Sequence, residues 1–64
     1  MLIKDLQKLA FDYQFIGIID DEYNEWWSGY LHNLPPQYEN LKVVKFGSKT
    51  IEHYPCDDML VIMI

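Results

Sequence analysis

Met59-Leu60-Val61-Ile62-Met63-Ile64 ends the sequence with an apolar run that holds no charge, proline or glycine. Successive side chains of a strand point to opposite faces, so a strand made of this run is apolar on both. On an open sheet edge it would be a template for pairing with further copies. The run therefore calls for one of two arrangements. It sits inside a sheet, between neighbours such as 14–19 and 41–46 with a helix above it, or it pairs with its own copy across a two-fold axis. The interior place is expected, because it needs no second chain.

The segments before it supply the neighbours. Leu2, Leu6, Leu9 and Tyr13 recur at helical spacing with Ala10 beside them, while Lys4, Asp5, Gln7, Lys8 and Asp12 fall mainly on the other side. This pattern predicts an amphipathic helix over 2–13 that covers a sheet. From Gln14 the period changes, and Phe15-Ile16-Gly17-Ile18-Ile19 reads as a strand. Residues 25–32 read as a second, with Trp26, Ser28, Tyr30 and His32 on one face and Trp27, Gly29 and Leu31 on the other. Asn33-Leu34-Pro35-Pro36 ends it, since neither proline can donate to a ladder. A single helical turn is expected after Pro36, then a strand over 41–46, a turn at Gly47-Ser48-Lys49 and a strand over 50–54. Pro55-Cys56-Asp57-Asp58 turns the chain into the terminal strand.

The expected fold is one compact α+β domain over 1–64: an N-terminal helix packed on a four- or five-stranded, mainly antiparallel sheet. Short connections favour the meander, because parallel pairing needs a longer crossover. One helix of about three turns covers only one face of such a sheet. The strands at 15–19, 25–32 and 59–64 are apolar on both faces. Either the sheet curls on itself or another chain covers its second face.

Composition narrows the function. The chain is 50% hydrophobic and 16% aromatic, which is enough apolar material to exclude intrinsic disorder. Its single cysteine forms no internal disulfide, so a reducing, cytoplasmic setting is expected rather than that of a stapled secreted scaffold. The N-terminus carries no apolar stretch of the signal-peptide kind, and no run is long enough to span a bilayer. Ten acidic residues face five lysines and no arginine, for a net charge of −5. That field repels phosphate backbones, and arginine is the main residue for bidentate phosphate and guanine contacts. Direct nucleic-acid binding is therefore not expected. A basic protein partner, one that itself handles nucleic acid, fits the field.

The acidic residues cluster where the tryptophans are. Asp20-Asp21-Glu22-Tyr23-Asn24-Glu25-Trp26-Trp27-Ser28-Gly29-Tyr30 holds both tryptophans of the chain. Carboxylates beside exposed aromatic rings can hold a lysine- or arginine-rich surface by charge and by cation–π contact. Asp20, Asp21, Glu22, Tyr23, Glu25, Trp26, Trp27 and Tyr30 are thus the candidate partner-binding residues, set against a merely solvated turn. In a regular strand Trp26 and Trp27 point to opposite faces, and a one-residue slip exchanges them.

Other chemistries find less support. His53 and Cys56, with Asp57 and Asp58 adjacent and His32 elsewhere, contain zinc-ligating groups, but a structural zinc site normally has two paired clusters. Cofactors and metals are not expected, with His53 and Cys56 the only zinc candidates. A cysteine–histidine nucleophile lacks an orienting third group, and 20–25 lacks the alternation and central glycine of a calcium loop. Gly17, Gly29 and Gly47 are scattered and open no phosphate-binding helix. No enzymatic activity is expected.

The layout resembles small orphan proteins of phages and other mobile elements of low-GC bacteria. The resemblance is carried by the leading helix at Met1-Leu2-Ile3-Lys4-Asp5-Leu6, the acidic-aromatic hairpin ending in Leu34-Pro35, then Lys42-Val43-Val44 and a terminal strand. Several such proteins are host-defence inhibitors, including anti-CRISPR proteins that bind basic nucleases. The resemblance implies inhibition by occupying a basic surface, and it transfers no residue role. The alternative is an assembly protein that self-associates, as a homodimer, through an uncovered apolar sheet face.

Overall fold

Phe15–Ile19 (β1) pairs antiparallel with Glu25–Tyr30 (β2), and Lys45–His53 (β3) pairs antiparallel with Cys56–Met63 (β4). The computed structural model describes residues 1–53 and 56–64, and side chains outside 50–57. β4 lies beside β1 in parallel, so the four strands are ordered β2-β1-β4-β3. The terminal apolar run is thus interior, the first of the two arrangements that its two-sided character allows. At its end the Val44 amide donates to the Met63 carbonyl at 2.7 Å and the Ile64 amide to Ile19 at 2.9 Å.

The sheet is mixed rather than a meander because the connection from β2 to β3 is not a short turn. Residues 31–44 cross over one face, adding 3-10 turns at Leu31–Asn33 and Pro36–Tyr38. The crossing lands β3 on the far edge and leaves the place beside β1 open for β4. The described residues therefore form four strands, with β3 spanning the positions read as a turn. Gly47, Ser48 and Lys49 lie within β3, opposite Val61, Leu60 and Met59. Asp58, read as part of a turn, is already in β4 opposite Thr50. A turn at 47–49 would have stripped β4 of its outer hydrogen-bonding partner, and nine residues of β3 satisfy that edge instead. The ends read as strand and turn at 54 and 55 lie outside the described residues.

The N-terminal helix is shorter than its pattern predicts. A 3-10 turn at Ile3–Asp5 leads into a single α-turn, Leu6–Leu9 (α1), and Ala10 is already extended at φ −119, ψ 157. The Asp5 carboxylate accepts from the Leu2 amide at 2.9 Å, which caps the first turn. What stops the helix is pairing elsewhere. The carbonyl of Asp12 accepts from the His32 amide at 3.0 Å and that of Gln14 from Leu31 at 2.9 Å, so 12–14 run alongside the end of β2. The N-terminus is tied to the other side of the cover through Ile3 N–H to Leu41 C=O at 3.0 Å and Val43 N–H to Met1 C=O at 2.8 Å.

The core lies between this cover and one face of the sheet. Ile16, Ile18 and Ile62 rise from the strands to meet Ile3, Leu6, Leu31 and Leu34, with Trp27, Leu60 and Ile64 packed at the margin. Leu9 and Tyr13, expected under the helix, are 74% and 68% exposed. Ile3 takes the buried place instead, because a 3-10 turn has three residues per turn and brings Ile3 and Leu6 onto one side. Among the described residues all of the cover lies on that side. Phe15, Ile19, Val61 and Met63 belong to the opposite face and are buried only in part or in sheet contacts.

Candidate functional site

The hairpin joining β1 to β2 is built around one carboxylate. Asp20 Oδ1 accepts from the backbone amides of Glu22 and Asn24, both at 2.9 Å. Its Oδ2 accepts from Asn24 Nδ2 at 3.3 Å and from the indole Nε1 of Trp26 at 3.1 Å. Behind it, the Tyr23 amide donates to the Asp20 carbonyl at 3.0 Å and the Asp20 amide to Asn24 at 3.1 Å. An aspartate that caps its own turn in this way is a local device of turn chemistry. The donors hold the Asp20 carboxyl below the usual carboxylate range, the Asn24 amide most and the Trp26 indole next, with slight burial opposing them. A pKa depressed in the folded state means the hairpin is fully held above the ordinary carboxylate value. That support is lost as pH falls through the folded value.

With Asp20 turned inward, Asp21, Glu22 and Glu25 are the exposed acids of the hairpin. Tyr23 stands among them, 76% exposed, with φ at 65°. The left-handed region costs a residue with a Cβ roughly 1–2 kcal/mol, and a bulky aromatic residue is seldom found there. Tyr23→Gly removes that strain but loosens the unfolded chain, which offsets part of the gain. The net expectation is a stabilisation of about 0.5–1 kcal/mol, read as a higher urea midpoint. An unchanged or lower midpoint would show that the Tyr23 ring stabilises the hairpin by more than the strain.

The bulge decides between the tryptophans. Ile18 pairs with Trp27 and Ile19 with Glu25, so Trp26 is the extra residue. Trp27 turns to the core and lies over Gly29, where an added Cβ would come within 2.8 Å of its ring. Trp26 is 50% exposed, with its indole N–H on Asp20 and its carbonyl accepting from the Tyr38 hydroxyl at 3.4 Å. Tyr30 is at the other end of β2, edge-on to Phe15 with centroids 5.5 Å apart and stacked on His32 at 5.7 Å. The structure thus brings together 20–26 and places Trp27 and Tyr30 elsewhere.

His53 and Cys56 are backbone register partners in β3 and β4, and their side chains lie outside what the structure describes. Among the described residues no group of His, Cys, Asp or Glu is placed to hold a metal ion. No helix among them is long and apolar enough to cross a membrane.

A feature not read from the sequence adjoins the hairpin. On the uncovered face a shallow trough of about 410 Å³ is floored by Gly17, Ile19, Met59 and Val61, with Glu25 at one rim and Lys49 at the other. Tyr23 lines it as well, and a neighbouring hollow of about 230 Å³ reaches Lys45 and Met63. Comparison with known protein families, curated proteins and solved structures finds no match to this chain.

Proposed function

We propose that the chain is a small acidic protein-binding module, an inhibitor of the phage or mobile-element kind. It acts in the cytoplasm by occupying a basic surface of a nucleic-acid-handling host protein. Binding, with no catalysis and no cofactor, is its activity. The observation that supports this most is the hairpin itself: Asp20 is consumed in holding the turn, and Asp21, Glu22, Glu25, Tyr23 and half of Trp26 are left facing solvent. An exposed ring in a strained backbone, among carboxylates and on a chain of net charge −5, suits a lysine- or arginine-rich surface. The rim charges set the association rate, and the rings supply the anchor.

The test starts by capturing the basic partner from a bacterial lysate and then measures association kinetics with it. The association rate is expected to fall steeply between ~50 and ~300 mM salt. Asp21→Asn, Glu22→Gln and Glu25→Gln together are expected to slow association about tenfold and flatten that dependence. Asp20 is left intact so that the turn survives. Equal rates for parent and triple variant would remove the hairpin from the binding surface.

A further inference from the structure

The sheet face turned away from the core carries a pattern that is complementary to itself. Across the four strands, in register, stand Glu25, Ile19, Met63 and Lys45: an acid at one edge, a base at the other, and apolar side chains between. We propose that this face closes against the same face of a second copy, about a two-fold axis parallel to the strands. Such an axis reverses the left-to-right order of a row but keeps its level along the strands. Glu25 of each copy then meets Lys45 of the other, and Ile19 meets Met63.

The next row on this face fits the same operation. Val61 comes opposite Gly17 of the second copy, where the Met59 methyl covers the glycine and offers it an apolar contact. In the row beyond, Lys49 comes opposite Tyr30, and Met59 opposite Phe15. An ammonium on a ring and a thioether on a ring are both favourable contacts. An axis in the same plane but perpendicular to the strands would instead set Lys45 over Lys49. Charge therefore selects the parallel axis. The molecule is 17 Å in its thinnest direction, the depth of one sheet with one covering layer, and sheets stack face to face at about 10 Å. Both acidic hairpins stand at the same end of such a dimer. The contact shares Glu25 with the proposed partner surface, and Tyr23 lines the same trough, but Lys45, Val61 and Met63 lie outside 20–26, so Lys45→Glu and Val61→Asp test the dimer separately from that surface.

Sedimentation equilibrium of the full chain from ~1 μM to ~1 mM tests this, with the dissociation constant as the readout. The expected species is twice 7.7 kDa, and association tightens as salt rises, because each copy carries −5 and the contact is mainly apolar. Val61→Asp, Glu25→Lys and Lys45→Glu are each expected to weaken it at least about tenfold. The double variant Glu25→Lys with Lys45→Glu is expected to regain most of that loss. Within one chain those two positions are three strand spacings apart, roughly 14 Å, so the rescue arises only between copies. Tryptophan fluorescence reports whether each variant is folded, and the two edge charges keep the test intact if Val61→Asp is not. A chain that is monomeric at ~1 mM, a dimer unmoved by these variants, or a double variant without rescue overturns the proposal.

Discussion

Ile62→Ala is expected to remove a large share of the folding stability. Ile62 is fully buried, sits in the interior strand, and is flanked in register by Ile18 on β1 and Phe46 on β3. Its truncation removes methyl groups that contact both the sheet and the cover, and neither side can close the gap without breaking a ladder. Such a change costs about 2–5 kcal/mol. A chain of this length has roughly 3–10 kcal/mol in total. The measurement is a urea melt followed by tryptophan fluorescence: the midpoint should fall sharply while the slope stays unchanged. A shift corresponding to less than about 1 kcal/mol would mean that Ile62 is not at the centre of the core.

Leu6→Ala and Leu9→Ala are expected to differ by almost the full cost of a core deletion. Both leucines fit the amphipathic pattern of 2–13, so the pattern alone predicts equal losses. In the structure Leu6 is 4% exposed and belongs to the core, whereas Leu9 is 74% exposed at the end of the single α-turn. Leu6→Ala should cost about 2–5 kcal/mol, and Leu9→Ala should stay within about 0.5 kcal/mol. Ile3→Ala, at a position the helical pattern passes over, should resemble Leu6→Ala because Ile3 is fully buried. Thermal melts of the three variants decide it. Equal losses at Leu6 and Leu9 would restore the longer helix.

The candidate site was legible in part. Four carboxylates beside aromatic residues marked 20–26 as a charged, ring-bearing surface, since residue type alone sets charge and cation–π capacity. The composition did not distinguish Asp20 from its neighbours. That distinction needs the hairpin closed, with the amides of Glu22 and Asn24 and the Trp26 indole converging on one carboxylate. An aspartate opening a turn with an asparagine four residues on was the available signal. The bulge that turns Trp27 inward and leaves Trp26 half exposed depends on pairing with β1, and strand alternation cannot locate it.

From the residues alone it followed that β1 and the terminal run are strands, that the terminal run belongs inside the sheet or on a seam with its own copy and not on an open edge, and that one helix covers a single sheet face. These follow from local period, side-chain type and the scarcity of covering material in 64 residues. Tertiary structure alone decided the length of the helix, the extent of β3 and the parallel pairing of β1 with β4. Each of these rests on backbone groups far apart in sequence: the carbonyls of Asp12 and Gln14 taken by His32 and Leu31, and β4 set between β1 and β3 after 31–44 cross the core. Hydrophobic period records which side of a segment seeks burial. It carries no record of which distant amide will claim a given carbonyl, and in so small a chain that competition overrides propensity.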